Sequence, residues 1–301
     1  MPFLSPICAL IFAPLLLGII TRTKALVAGR RGAPLLQPYR DIAKYLRRGA
    51  VYGDETTWFF RLGPVVNLAA LLTALLIVPF GAVAAPVRFS GDLVVLAGLL
   101  ALGRFMTVLA ALDTGSSFEG MGASREVHFA ALAEPTLFLA LATLTRVTGA
   151  VSLTPIYGGI TVAIWAHALP TLTLVAVTLL MLELVENTRI PVDDPTTHLE
   201  LTMIHEVMVL DHGGPDLAYI HYAGALKLWI LGSLFVGLVV PVGGAGPWWL
   251  DGLAMLIGMA VLAVVIGVIE SVMARYRLLQ VPQFIVGGTM LSAVAFILIL
   301  V

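Results

Sequence analysis

The chain has 301 residues, of which 59% are hydrophobic and 12% are charged, with a mean hydropathy of +1.01 and a formal net charge of −1. Soluble domains carry about 25% charged residues, so this composition excludes an ordinary soluble protein, and the near-zero charge gives no indication of nucleic-acid binding. The single cysteine, Cys8, excludes a disulfide framework and the four thiolates of an ordinary iron–sulfur site. The sequence therefore predicts an integral membrane protein that carries no redox centre of its own.

Eight apolar runs are long enough to cross a bilayer as helices, since a hydrocarbon core about 30 Å thick needs roughly 20 residues. The runs lie near residues 3–20, 62–84, 92–112, 128–148, 157–184, 218–240, 250–270 and 282–301. Strands of a membrane barrel would give short alternating segments instead. We therefore predict an all-α integral membrane protein with about eight transmembrane helices, forming a single polytopic domain over residues 1–301.

The distribution of Lys and Arg predicts the orientation of these helices. The loops after helices one, three, five and seven contain 13 of the 17 basic residues, nine of them within residues 21–61, whereas the opposite side has only Arg88 and Arg146. The positive-inside rule therefore predicts that the odd-numbered loops are cytoplasmic and that both termini lie outside. The first run has no preceding positive residue and no small-residue cleavage site, so we expect it to remain as helix one.

Residues 35–46 of loop one have apolar and basic side chains at helical spacing. Leu35, Tyr39 and Leu46 fall on one side, and Arg40 and Lys44 fall on the other. This pattern predicts a short amphipathic helix at the membrane surface. Periodicity alone leaves open whether this helix binds anionic lipid or a protein.

Glu134 is the most informative charge within the helices. It lies inside helix four, directly before Pro135. The preceding loop three, residues 113–127, is rich in small residues and is predicted to be irregular. An ionised carboxylate in hydrocarbon costs several kcal/mol, so such a group faces a protein interior or water. Proline also leaves the carbonyl four residues earlier without its helical donor. Together they predict a polar pocket inside the bundle.

Three further charges are expected at membrane depth. Glu183 and Glu186 are one turn apart at the end of helix five, and Lys227 lies at a similar depth in helix six. We predict that Glu134, Glu183 and Lys227 ring one hydrated cavity. Two alternatives remain open. Glu186 would lie at a helix end that is exposed to water, and Lys227 and Arg104 would each form a structural salt bridge.

Loop five is polar in an otherwise apolar chain, because residues 185–212 hold six of the 18 acids and three of the six histidines. Asp194 followed by Pro195 predicts the start of a short amphipathic surface helix. Its apolar stripe consists of Leu199, Met203, Val207 and Leu210. The pair His205–Glu206 lacks the second histidine of a zinc-protease motif. A metal pair of His205 and His212 remains an alternative, but a solvated or partner-facing polar surface is favoured.

Three segments carry a resemblance to a known family: RRGAPLLQPYRDIAKYL at 30–46, GASREVHFAALAEP at 122–135 and VENTRIPVDDPTTHLELTMIHEVMVLDH at 185–212. The chain resembles the heel subunit of respiratory complex I, subunit 1. It is more similar to the counterpart in energy-converting nickel–iron hydrogenases of the formate hydrogenlyase and hydrogenase 4 type. Loop one lacks the Asn-Arg-Val-Gly insertion typical of complex I, which favours the hydrogenase branch. Gly49 departs from the family pattern, which often has Glu there.

The resemblance implies a membrane subunit of a hydrogenase-type complex in the prokaryotic cytoplasmic (inner) membrane. It would anchor a peripheral arm of hydrogenase small and large subunits, which would hold the iron–sulfur clusters and a nickel–iron centre. It would lie beside antiporter-like membrane subunits and couple electron transfer to proton or sodium translocation, with no cofactor or metal in this chain. The alternatives are the quinone-site subunit of a complex I relative and a passive membrane anchor.

The resemblance and the charge pattern together predict two sets of site residues. The predicted proton pathway consists of Glu119, Glu126, Glu134, Glu183, Glu186, Glu200, Glu206 and Lys227. The predicted docking surface for the arm consists of Arg31, Gln37, Pro38, Arg40, Asp41, Lys44, Arg189, Asp193, Asp194, His198, His205, Asp211 and His212.

Overall fold

The computed structural model of the chain describes residues 3–81, 83–193, 203–241 and 248–300. Within these ranges the chain folds into α-helices joined by short connections, and the only strand-like pairing there is an isolated bridge between Phe80 and Val83. The helices are α1 (Leu4–Val27), α2 (Gln37–Leu46), α3 (Trp58–Leu75), α4 (Asp92–Asp113), α5 (Ser117–Thr148), α6 (Leu153–Gly159), α7 (Val162–His167), α8 (Leu169–Glu186), α9 (Gly214–Val239), α10 (Trp248–Val272) and α11 (Val281–Leu298).

Eight of the described helices are long and apolar enough to cross a bilayer, namely α1, α3, α4, α5, α8, α9, α10 and α11. The predicted all-α membrane fold is therefore confirmed. The centre of the bundle is α9, because 72% of its apolar window is buried, compared with 28% for α11. Its Trp229 is almost fully buried and stacks on Phe80 with ring centroids 5.4 Å apart.

The connections after α1, α4, α8 and α10 lie on one side of the bundle, which we call the loop-one face. Three hydrogen bonds, each donated by a backbone amide, link these connections. The Thr57 amide donates to Asp113 Oδ2 at 2.7 Å, the Asp211 amide to Glu119 Oε1 at 3.2 Å, and the Tyr276 amide to the Pro191 carbonyl at 2.8 Å. The four connections therefore form one structural layer.

The apolar run at 157–184 does not form the single helix that was predicted. It is divided among α6, α7 and α8, with breaks at Ile160 and Ala168. Each break has a local cause: α6 ends at a Gly-Gly pair, the Thr161 hydroxyl accepts a hydrogen bond from the Ile164 amide at the start of α7, and a proline occupies the first turn of α8. Hydropathy remains high across these breaks, so it did not reveal them.

Two helix boundaries also differ from the prediction. The run at 62–84 ends its helix at Leu75, before Pro79, which has no backbone N–H to continue the ladder. Loop three is not irregular, because α5 already begins at Ser117. Its Gly122 is required for close packing: a Cβ there would lie 2.4 Å from Val207 Cγ1 of loop five. The glycines that suggested flexibility instead allow two segments to approach.

The apolar residues at the start of the described part of loop five are buried, whereas Leu210 and Asp211 are exposed. Residues 194–202, which include Asp194, His198 and Glu200 and the predicted helix start, lie outside the described residues. After them the chain makes one 3-10 turn, Glu206–Val209, with Met203 and Val207 buried. The Asp193 carboxylate accepts a hydrogen bond from the Ile204 amide at 2.8 Å. Arg125 of α5 donates to the Met203 carbonyl at 2.9 Å, which holds the turn against α5.

The amphipathic helix predicted in loop one is confirmed as α2, and it is docked on other helices. The Tyr39 hydroxyl donates to the Ile11 carbonyl of α1, and Tyr45 stacks on His221 of α9 with centroids 5.5 Å apart. Pro14 leaves the Leu10 carbonyl of α1 without its helical donor, and the Tyr222 hydroxyl of α9 donates to it at 2.9 Å. Tyrosine hydroxyls thus hold α1 to α2 and α9.

Candidate functional site

Arg104 of α4 is the centre of a buried group of charges. Its Nη1 donates to Glu134 Oε1 at 2.9 Å, and its Nη2 donates to both carboxylate oxygens of Glu186 at 2.6 and 2.7 Å. Its Nε lies 3.4 Å from Glu126 Oε1. The guanidinium is 8% exposed. One cation therefore holds carboxylates from both α5 and α8, as the planar fork of arginine allows.

Lys227 of α9 completes this group, because its Nζ lies 2.8 Å from Glu186 Oε2. We call Arg104, Glu126, Glu134, Glu186 and Lys227 the Arg104 cluster. It brings together three carboxylates and two cations, so one negative charge is in excess when all five are ionised. Glu126, Glu134, Glu186 and Lys227 are members of the predicted proton pathway that the structure brings together. Arg104, for which a structural salt bridge was one interpretation, joins the three acids, and Lys227 is joined to them through Glu186.

A cavity of about 240 Å³ opens between α4 and α5 beside this cluster. Its inner end is lined by Arg104, Glu134 and Glu186, and its remaining wall is apolar. At the rim, Val94 and Phe138 are exposed. The predicted ring of cavity residues was wrong in two members, because Glu183 and Lys227 do not line this cavity. Lys227 contacts Glu186 from α9, and Glu183 lies one turn before Glu186 on α8.

Glu134 occupies the outer edge of the cluster, with 43% of its side chain exposed on the membrane-embedded part of the bundle. Acyl chains cannot solvate an ionised carboxylate. Arg104 neutralises the charge at one carboxylate oxygen of Glu134, and the other oxygen faces the cavity. Of the cluster residues, Glu134 is therefore the most accessible from outside the subunit.

Glu183 lies one turn before Glu186 on α8 and is fully buried. Among the described residues neither of its carboxylate oxygens has a hydrogen-bonding partner. The charges of Arg189, Lys227 and Glu186 act on it through space. A buried polar group without hydrogen bonds is rare in proteins and calls for an explanation. Glu183 is thus a buried acid that no hydrogen bond from the described residues stabilises.

A second group of charges lies beyond Glu183, and sequence reasoning missed its central residue. Glu270, in the last turn of α10, has a fully buried side chain whose carboxylate oxygens lie 2.9 Å from Lys24 Nζ of α1 and 3.4 Å from Arg189 Nη1. We call these three residues the Glu270 triad. Glu270 ends an apolar run, and this position by itself indicates only a helix boundary. The available signal was Lys24, an opposite charge just after the first run on the same side.

The Glu270 triad and its neighbours change the interpretation of two predicted docking residues. Arg189 points to Glu270, with 14% of its side chain exposed, and Asp193 is buried in an ion pair with Arg275 Nη2 at 2.7 Å. Both side chains hold loop five against the ends of α8 and α10. Docking of a partner through them remains a prediction, and their burial in this chain gives it no support.

His212 is likewise buried, and its ring stacks on Phe60 of α3 with centroids 3.9 Å apart. Burial lowers the pKa of His212 to about 4. The imidazole is therefore neutral near pH 7 and unsuited to a charged contact with a partner. Nearby, Glu119 is buried and accepts from the Asp211 amide, so it lies at the loop-one face and not in the Arg104 cluster. Glu206 and His205 are half-buried at the 3-10 turn.

The exposed members of the predicted docking surface are Arg31, Arg40, Lys44 and Asp211. Gln37, Pro38 and Asp41 are half-buried, and Asp41 accepts from Gln37 at 3.0 Å and pairs with Lys44 at 3.3 Å. Within the described ranges, no three His, Cys, Asp or Glu side chains lie together in a way that could hold a metal ion. The polar contacts described above are ion pairs and hydrogen bonds.

Comparisons with known proteins agree with this architecture. A family model described as NADH dehydrogenase matches residues 2–301. The chain is 32% identical to formate hydrogenlyase subunit 4 of Escherichia coli K12, over 99% of this chain and 98% of that protein. It is 33% identical to hydrogenase-4 component C of the same organism, over 96% and 91% of the two chains.

A more distant relative is a subunit of the NADH-quinone oxidoreductase of Bordetella avium, with 27% identity over 42% of this chain and 35% of that protein. The fold matches a chain in the structure of the membrane-bound sulfane sulfur reductase, an archaeal respiratory membrane complex, with a TM-score of 0.82, 21% identity and 99% coverage of both chains. From the eight apolar helices and these matches, the chain is a multi-pass membrane protein that belongs to the NADH dehydrogenase family.

Proposed function

We propose that this chain is the membrane subunit of an energy-converting hydrogenase-type complex, and that it couples electron transfer in partner subunits to proton movement through its buried charges. The near-complete coverage of formate hydrogenlyase subunit 4 and hydrogenase-4 component C supports this complex as the setting. A passive anchor needs no buried ions. The Arg104 cluster is the single observation that carries the coupling role.

The chemistry of the cluster follows from the sharing of one cation by several acids. A carboxylate that loses contact with its cation in a medium of low polarity becomes a stronger base, because the neutral form is then favoured. Arg104 touches Glu126, Glu134 and Glu186, so a small shift of its guanidinium exchanges which of them is best stabilised as an anion. Each exchange releases a proton from one acid and allows another to bind one.

The surroundings of the cluster suggest how it communicates with partners. In this proposal the loop-one face lies in the cytoplasm of a prokaryotic cell beneath a peripheral arm of hydrogenase small and large subunits, which hold the iron–sulfur clusters and the nickel–iron centre. The exposed side chains Arg31, Arg40, Lys44 and Asp211 belong to its docking surface. Antiporter-like membrane subunits would lie at the cavity between α4 and α5, where Glu134 is accessible.

Replacing Glu186 by Gln in the assembled complex tests the coupling role. The complex would be purified, reconstituted into vesicles and supplied with electron donor, and vesicle acidification would be measured per hydrogen molecule formed. We expect Glu186→Gln to assemble normally and to move about tenfold fewer protons per hydrogen molecule formed. The matched control is Asp92→Asn, which changes a buried acid of α4 outside the cluster.

Two outcomes would reject the proposal. Normal acidification by Glu186→Gln would leave the chain as a passive anchor. Nickel, iron and quinone analysis of the same purified complex separates the hydrogenase from a quinone reductase, the alternative that the partial match to the Bordetella avium protein supports. Stoichiometric quinone without nickel would favour that alternative.

A further inference from the structure

Glu270 does not line the α4–α5 cavity, and the proposed function above makes no use of it. It is the last acid of α10, and its side chain is fully buried between α1 and the segment after α8. A helix that only needs to end at the membrane surface has no need of a buried acid there. Its position therefore calls for a reason beyond that of a solvated helix end.

The contacts of Glu270 leave one of its two carboxylate oxygens without a hydrogen bond. Lys24 Nζ lies 2.9 Å from Oε2 as an ion pair, yet among the described residues Oε2 has no partner with the geometry of a hydrogen bond. Arg189 reaches only Oε1, at 3.4 Å. A structural ion pair is stable when its remaining lone pairs are satisfied. Glu270 Oε2 is thus a buried carboxylate oxygen that has one cation beside it and no hydrogen bond.

Glu183 connects the Glu270 triad to the Arg104 cluster. Its buried carboxyl, which has no hydrogen bond among the described residues, lies one turn before Glu186 of the cluster on α8, and Arg189 of the triad lies in the segment that follows α8. Acids and bases therefore alternate across the subunit in the order Glu134, Arg104, Glu186, Lys227, Glu183, Arg189, Glu270 and Lys24.

The two ends of this series are its most exposed members. Glu134 has 43% of its side chain exposed and Lys24 has 24%, whereas the acids between them, Glu186, Glu183 and Glu270, are buried. A structural network has no need of two accessible ends. A path between two compartments, or between a partner and water, does need them.

We propose that Glu270 is a further proton-carrying residue of this subunit, and that with Lys24 it forms the end of the charged series opposite the α4–α5 cavity. This inference rests on the proposed function. A proton from water beside Lys24 binds the Glu270 carboxylate; it then passes to Glu183, and Glu270 returns to its anionic form. No electrons move, the cations stay charged, and one proton enters the series for each one that leaves it.

Four variants of the reconstituted complex test this inference. In Glu270→Gln, we expect proton movement per hydrogen formed to fall at least fivefold, and in Glu270→Asp, which keeps a titratable carboxyl, we expect substantial recovery. In Asp251→Asn, which changes an acid at the opposite end of the same helix, we expect no effect on this ratio. Glu270→Gln alone leaves Lys24 without its acid. The double variant Lys24→Met/Glu270→Gln therefore removes this cation together with the acid.

The outcomes separate a proton carrier from a structural ion pair. If Glu270 only stabilises the fold, the double variant and Glu270→Gln would both retain the wild-type ratio of protons to hydrogen, with changes limited to melting temperature. That result overturns the inference. If Glu186→Gln lowers the ratio and Glu270→Gln does not, the proposed function stands and this inference alone fails. If neither variant lowers it, both fail.

Discussion

Buried carboxylates are held in two different ways in this chain, at Asp92 and at the Arg104 cluster. Asp92, in the first turn of α4, is fully buried and is bound only by neutral donors: the Ser152 hydroxyl at 2.5 Å and the Leu153 amide at 2.8 Å. In the Arg104 cluster, Glu186 is bound by two cations, and a cavity opens beside it. Both acids are buried, yet their surroundings differ in charge and in access.

The difference teaches which buried acids are expected to exchange protons. Asp92 accepts two directional hydrogen bonds that fix the start of α6, and protonation would break one of them. Glu186 shares its cations with other acids, so its charge can be redistributed without loss of the fold. Burial alone therefore does not identify a functional acid; shared cations and an accessible neighbour do.

Removal of Arg104 is expected to have the largest effect. In Arg104→Met, the carboxylates Glu126, Glu134 and Glu186 lose their shared cation, and breaking a buried ion pair in this way costs about 3–5 kcal/mol. We expect a marked fall in the melting temperature of the purified complex in mild detergent. The double variant Arg104→Met/Glu186→Gln should recover part of this fall in melting temperature, because it removes one of the buried carboxylates that have lost the Arg104 cation. An unchanged melting temperature in the single variant would contradict the central role of Arg104.

Acidification is expected to destabilise the packing of His212 on Phe60. The ordinary pKa of this histidine is 6.5 and burial lowers it to about 4 in the folded chain, so the unfolded state binds the proton more tightly. Stability is therefore retained above pH 6.5 and lost as the pH falls toward 4, by about 2 kcal/mol at pH 5.

Thermal melting of the wild type and of His212→Phe over pH 5–8 measures this effect. The phenylalanine keeps the stacking but cannot be protonated, so its stability should change less between pH 6.5 and pH 5. Parallel pH curves for the two proteins would show that His212 does not contribute.

The change Asp92→Asn is expected to lower stability without affecting coupling. The amide keeps an oxygen that accepts from the Leu153 amide but weakens the charge-assisted bond to Ser152, a loss of about 1–2 kcal/mol. We expect a lower melting temperature and a wild-type ratio of protons to hydrogen. A reduced ratio would show that a fully satisfied buried acid also takes part in proton movement, which would remove the distinction between the two regions.

The smallest effect is expected for Tyr222→Phe, which removes one neutral hydrogen bond. The Leu10 carbonyl, freed by Pro14, would lose the donor that reaches it at 2.9 Å, and we expect a loss of about 1 kcal/mol. Tyr219→Phe on the same helix serves as a control, because it removes the same kind of hydroxyl group while the bond from Tyr222 to this carbonyl is kept. Equal melting temperatures of Tyr222→Phe and the wild type would show that Leu10 is satisfied in another way.

Sequence patterns predicted the local features of the chain well. The helix α2 follows from the spacing of apolar and basic residues, and the eight membrane-crossing helices follow from hydropathy. The patterns failed where a break or a contact depends on another segment. Hydropathy did not show the divisions at Ile160 and Ala168, and Gly122 suggested an irregular loop although it serves contact with Val207.

The candidate site was predictable only in part, for a similar reason. Glu134, Glu186 and Lys227 were recognised because a charge in an apolar run is costly wherever it points. Glu270 was missed because a charge at the end of a run has an ordinary explanation, and only the fold shows its burial beside Lys24. Conversely, Asp193 and His212 were expected on a docking surface, and the fold places them inside loop five and against Phe60.

Local sequence alone was enough to predict that this chain lies in a membrane, that it has eight membrane-crossing helices, and that several charges lie within its apolar runs. The physical reason is that the bilayer acts on each apolar run of about 20 residues separately, so local composition decides insertion. Only the tertiary structure decided which charges meet. Arg104 binds acids that are 30 and 82 positions away, because helix rotation and packing, not distance along the chain, bring their side chains together.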